Sequence, residues 1–240
     1  MTTATTPIGA PVTGPSSSGI APAWHTVIVL CMMLGLSLVG AFFNLQTILG
    51  VHGRVISYLL VMVTEWATVG FIWWGLNRQG VRMADVVGGS WARGIHVLRD
   101  CGIGIAFVVI FGGAVQVLGN LLKVPQPQAM LQMLPQTWYE MIIWVLISLT
   151  AGFCEEMIFR GYLQRQFSVL TRSVVGGILL QGVVFGLSHG YQGWKLMSLI
   201  ALYGALFGVL AHWRRSLRPG MIGHALQDTA GGLLAGLQGH

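Results

Sequence analysis

Charge is scarce in this chain. Asp, Glu, Lys and Arg together make up 8% of its 240 residues, and only seven of those are acidic. Soluble domains carry about 25%, so an ordinary water-soluble globular protein is excluded. Cysteine is scarce too. Cys31, Cys101 and Cys154 are odd in number, and each lies in or at the edge of an apolar run. That excludes a disulfide framework and leaves them as small packing residues. The chain shows no convincing internal repeat and no His-Glu-x-x-His zinc motif. It also has no recognisable secretory signal. Residues 1–22 have no charged side chain, are rich in Thr, Ser, Gly and Pro, and precede an apolar run too long for a signal-peptide core. They read as a disordered tail.

What the chain has instead is long apolar runs, at a mean hydropathy of +0.72. A spanning helix needs about 20 mostly apolar residues. Seven runs approach that length, at 24–51, 55–76, 101–122, 138–159, 174–189, 196–213 and 221–237, the last three being short or glycine-rich. The expected fold is all-α, a polytopic membrane helix bundle of about seven to eight transmembrane helices. It divides into the tail 1–22, N-terminal helices and loops over 23–136, and a core over 137–240.

The net charge of +6 does not call for nucleic acid, because topology explains it. Arg78, Arg82, Arg93 and Arg99 follow the second run, Arg160, Arg165 and Arg172 the fourth, and Arg214, Arg215 and Arg218 the sixth. The other side holds only Arg54, Lys123 and Lys195. The positive-inside rule then predicts a multi-pass cell-membrane protein with a cytoplasmic N-terminus. The linker 77–99 can place an amphipathic helix on the membrane surface. The linker 123–136, with Pro125, Pro127 and Pro135, reads as an extended loop on the far side. Nine tryptophans fall mostly near run ends, as in an aromatic belt.

Against this background Glu155 and Glu156 stand out, at the end of an uncharged run from 141 to 154. Insertion scales put one such charge at mid-bilayer at about 2.5–3.5 kcal/mol. Glu156 and Arg160 share a helix face at i, i+4, which predicts an ion pair, whereas Glu155 points about 100° away and is free for other work. The helix is expected to continue past Phe159 to about Phe167, turn near Thr171 and return as the fifth span. In that antiparallel hairpin Glu155 and His189 lie at similar height. A stripe of Gly182, Gly186 and Gly190 would let a neighbouring helix close in. Such a Glu–His pair in a partly dry site can activate a water. His224 and Asp228, again i, i+4, project from one face of the seventh span; either the Asp orients the imidazole or both address a common ligand. The three clusters can meet only if the fourth–fifth hairpin protrudes on the cytoplasmic side.

Three features are set aside. Gly186-Leu-Ser188-His-Gly190 has the G-x-S-x-G pattern, but that pattern makes a nucleophile only at a strand-to-helix turn. Cys154 faces apolar surroundings. No motif places Glu65, which can line or gate a cavity or pair with a distant arginine.

The motifs Glu155-Glu156-x-x-x-Arg160, Phe185-x-x-x-His189 and His224-x-x-x-Asp228, in this order on hydrophobic helices, resemble those of the CPBP family. These are intramembrane endopeptidases related to the CAAX prenyl proteases of the Ras-converting-enzyme type and to bacteriocin-processing proteins. The resemblance spans roughly residues 141–237. It implies hydrolysis of a peptide bond in a membrane-anchored protein or peptide, a prenylated CAAX-type substrate among the options. By the same resemblance Glu155 and His189 would activate the water, and His224 and Asp228 would stabilise the oxyanion or orient its donor. Glu156 and Arg160 would brace the site. Asp228 departs from the prenyl proteases, which carry Asn, and an ionised Asp cannot donate to an oxyanion. Zinc on Glu155, His189 and His224 is chemically open, with a metal-independent glutamate mechanism favoured. The competing class is a proton-coupled transporter or channel using the same Glu and His residues as a relay, which would carry an inverted repeat.

Overall fold

The computed structural model describes residues 19–42, 53–125 and 128–238. The predicted tail 1–22 therefore falls outside the described residues up to position 18. We number the helices α1 (Ala23–Phe42), α2 (Gly53–Arg78), the short α3 (Met83–Val87), α4 (Gly94–Leu121), the short α5 (Gln128–Met133), α6 (Trp138–Thr171), α7 (Val174–Ser188), α8 (Trp194–Arg214) and α9 (Arg218–Gln238). No strand occurs among the described residues, apart from one isolated bridge between Gly88 and Ser216. The fold is an all-α membrane helix bundle. Four helices, α2, α4, α6 and α8, are long and apolar enough to cross a bilayer, and α7 is a shorter apolar helix.

Both linkers hold short helices. The first carries only a five-residue helix, and α4 already starts at Gly94, so His96, Arg99 and Asp100 lie within it. The second is not extended throughout, because α5 forms where Gln128-Ala-Met-Leu-Gln-Met is free of proline.

Helix α6 is the axis of the molecule. Over its most apolar stretch 56% of the residues are buried, against 11% for α4, which turns Val109, Ile110 and Leu121 outward. It starts at a capping box, in which Thr137 accepts from the Glu140 N–H and Glu140 reaches back to the Thr137 N–H. Arg54 of α2 pairs with Glu140 at 2.9 Å. The helix runs without interruption to Thr171. There Arg172 adopts a left-handed conformation (φ 52°) and Ser173 caps α7, so the hairpin turns where the sequence predicts. Between Glu156 and Leu163 the winding widens to a π-helix, and all eight residues are buried. Such bulges cluster at functional sites.

A chain of buried hydrogen bonds anchors α1 to α6. His25 Nε2 faces the carbonyl of Phe71 at 3.0 Å, and a carbonyl can only accept, so Nε2 carries the proton and Nδ1 is the acceptor. Tyr162 therefore donates to His25 Nδ1 (2.7 Å), Thr26 donates to Tyr162 (3.0 Å), and Gln166 donates to Thr26 (2.7 Å). On the other side, α6 and α7 reach the glycine carbonyls of α8. Gln181 and Arg160 donate to Gly204 and Gln164 to Gly208, at 2.9, 3.1 and 3.1 Å. The stripe on α7 packs against α8 rather than α6. A Cβ on Gly182 would meet Ala201 and Ala205, and one on Gly186 would meet Met197 and Ala201.

Candidate active site

His224 gathers the polar residues. Its Nδ1 lies 3.2 Å from Glu156 Oε1, and its Nε2 lies 3.6 Å from Glu155 Oε2 and 3.5 Å from Asp228 Oδ2. Three carboxylates on two helices thus surround one imidazole. The meeting is possible because α9 lies directly on α6. A Cβ on Gly152 would come within 2.8 Å of Met221 O and 2.7 Å of Ala225 Cβ, so glycine is what lets the backbones touch. Ser216 accepts from the Arg218 N–H and Pro219 follows, a start that suits a helix. The first turn of α9 places Gly220 against Glu156, where the helix dipole favours a carboxylate.

The two glutamates divide as their spacing predicts. Glu156 is fully buried and pairs with Arg160 at 3.0 Å, whereas the Glu155 side chain keeps 17% of its surface. Arg160 is itself enclosed. It donates to Gly204 O, and its guanidinium lies over the rings of Phe185 (4.4 Å) and Phe207 (5.1 Å).

His189 is where the structure departs from the expected geometry. No hydrogen bond or ion pair joins it to Glu155 among the described residues. It closes α7 at φ −105°, ψ 16°, and its Nδ1 lies 2.8 Å from the carbonyl of Phe185. That carbonyl fixes a proton on Nδ1, so that in the neutral ring Nε2 is the acceptor. The ring still belongs to the site. It interacts electrostatically with Asp228, and the Phe185 ring lies 4.8 Å from it and 6.2 Å from His224. Ser188 gives its hydroxyl to Phe185 O at 2.7 Å, and Cys154 is buried and free.

Two residues join the site that no motif placed there. Glu65 of α2 is buried, and Glu155, His224 and Asp228 all act on it electrostatically. Tyr191, in the 3₁₀ turn after His189, stands within the field of Glu155, Asp228 and Glu65. Burial pushes its hydroxyl up and keeps it protonated. Neither was recognisable from spacing, because each comes from an element outside the three motifs. Two further contacts fix α9 at this level. Trp144 donates to Asp228 O at 2.8 Å, and Tyr203 donates to Gln227 at 2.5 Å.

Among the described residues no group of three or more His, Cys, Asp or Glu side chains has the arrangement of a metal site. Glu155, His189 and His224 are not gathered as a ligand set, since Nδ1 of His189 is turned onto a carbonyl and both nitrogens of His224 face carboxylates.

No curated protein matches the chain, and no solved structure does. Residues 137–230 match the family model described as type II CAAX prenyl endopeptidase Rce1-like. That segment holds Glu155, Glu156, Arg160, His189, His224 and Asp228, the residues that carry the three motifs, and over it the chain is similar to the CPBP/CAAX protease family.

Proposed function

We propose that the protein is an intramembrane endopeptidase that hydrolyses a peptide bond of a membrane-anchored protein by means of a water activated by Glu155. The reading rests above all on the convergence of Glu155, Glu156 and Asp228 on His224 within the family-matched segment. Glu155, the partly exposed member of the pair, takes a proton from the water as the hydroxide attacks the scissile carbonyl. His189, whose Nε2 is the acceptor in the neutral ring, assists in holding that water and in passing the proton to the leaving amine. Acceptor oxygens face both nitrogens of His224, so an imidazolium with an N–H on each side satisfies them. Its Nε2–H, or the Tyr191 hydroxyl, is the donor for the oxyanion. Asp228 orients the imidazole, the role left to a carboxylate where prenyl proteases have Asn. Glu156 and Arg160 brace the ring from behind.

Glu155→Gln and Glu155→Ala are expected to lower kcat on a lipidated or membrane-anchored peptide by about 10²–10⁴-fold, the range of general-base catalysis. Activity at the wild-type level in either variant would sink the mechanism. We also propose that the chemistry needs no metal. Exhaustive chelation is expected to leave the rate unchanged, and a loss restored by zinc overturns that part.

A further inference from the structure

Buried carboxylates need a partner, and the chain has seven acidic side chains. Six have a cationic or imidazole partner. Glu140 meets Arg54, Asp85 meets Arg82, Asp100 meets Arg99 and Arg214, and Glu156 meets Arg160 and His224. Glu155 and Asp228 both meet His224. The seventh, Glu65, has none among the described residues. It is 7% exposed, and its Oε2 is buried without a hydrogen bond. All 13 Lys and Arg residues lie within the described residues, and none forms an ion pair with it.

Nor does the surrounding site compensate for it. Glu155 and Asp228 add negative charge on the same side, and His224 is already shared among three carboxylates. Glu65 is held at the level of Glu155 by packing. Its neighbour Trp66 stacks on Phe153 at 5.3 Å and 22°, which registers α2 against α6 two residues before Glu155. The site opens on the side of Asp228, whose side chain is 33% exposed.

An acidic site with one unpartnered carboxyl group lacks a cation, and the group that enters such a site is the substrate. Building on the endopeptidase reading above, we propose that Glu65 forms an anionic subsite that takes a Lys or Arg side chain of the peptide substrate close to the scissile bond. A cation at that depth is itself costly to insert, so carboxylate and cation relieve each other only when the substrate is bound. The acidic lining also disfavours a substrate whose free C-terminal carboxylate must sit beside Glu65.

The test uses membrane-anchored peptides that differ only in carrying lysine or norleucine, scanned through the positions on either side of the cleaved bond. Both cleavage and equilibrium binding are measured on wild type and Glu65→Gln. Wild type is expected to favour lysine by about tenfold or more at one position, in line with a charge-assisted hydrogen bond. In Glu65→Gln the two peptides should become equivalent to within about threefold. A lysine preference that survives in Glu65→Gln, or its absence from wild type at every position, overturns the subsite. Should no peptide be cleaved while lysine-dependent binding through Glu65 persists, the endopeptidase reading fails and the subsite stands. Glu65→Met, which removes an unpartnered buried carboxyl group, is expected to unfold no earlier than wild type, so loss of folding does not mimic the result.

Discussion

At the level of single residues Arg160 is the largest of the fully buried side chains. Its guanidinium is fully enclosed, faces Glu156 at 3.0 Å, donates to Gly204 and rests on two aromatic rings. Removing one partner of a buried pair leaves the other charge uncompensated, at a cost of about 3–5 kcal/mol, whereas replacing both is often neutral. Arg160→Met is therefore expected to destabilise by about that amount. The Glu156→Gln/Arg160→Met double variant should recover part of the loss, as read by unfolding of the purified protein in detergent. A double variant no more stable than Arg160→Met would show that the pair does not act as a unit. This pair was legible in the sequence because i, i+4 spacing fixes both height and direction on one helix. The expected Glu155–His189 pair was not. Counting residues from the turn gives height on two helices but says nothing about where a side chain points. His189 ends its helix and spends Nδ1 on Phe185 O, so the residue that reaches Glu155 is His224.

At the level of helices, the site exists because α9 touches α6 through Gly152. Gly152→Ala puts a methyl against Met221 O and the Ala225 backbone, and backbone cannot swing aside as a side chain does. It pushes α9 outward one residue from His224. The expected outcome is a folded protein with kcat reduced by about tenfold or more, since displacements near 1 Å cost up to 10²-fold. Gly70→Ala, where a Cβ meets nothing within 4 Å, should keep full activity and gain about 0.5–1 kcal/mol of helix stability. Equal activity in the two variants would argue against helix contact as what sets the site. The stripe of Gly182, Gly186 and Gly190 was readable as a packing surface, yet its partner was not. Small residues announce close approach without naming the neighbour, and here it is α8. The π winding over Glu156–Leu163 also left no pattern in the sequence, since its residues are individually ordinary for an α-helix.

For the whole molecule the question is which side the site faces. Side-chain and backbone contacts gather the arginine-rich segments at one end of the bundle. Arg214 lies 3.6 Å from Asp100, Arg165 donates to Asp85 O and Val86 O, Leu217 N–H donates to Val87 O, and Arg218 covers Trp91. The opposite end joins the start of α2 to the region before α6, through Arg54–Glu140 and the bond from Tyr58 to Met133 O. By the positive-inside rule the first end is expected to face the cytoplasm. At 1.5 Å per residue the 34 residues of α6 extend about 50 Å, well beyond a hydrocarbon core of about 30 Å. If Trp138, 74% exposed, marks the far interface, Glu155 lies about 26 Å along the helix, at the cytoplasmic edge of the core. Such a protrusion would remove the mismatch in depth between Glu155 and the start of α9. Ser90→Cys on the arginine-rich end and Lys123→Cys on the other, both at exposed positions, give the test. With a membrane-impermeant maleimide on intact cells, measured against the parent protein, Lys123→Cys should label and Ser90→Cys should label only after permeabilisation. The reverse pattern would place the basic end and Glu155 on the outer side, and any substrate would then have to present its bond from there.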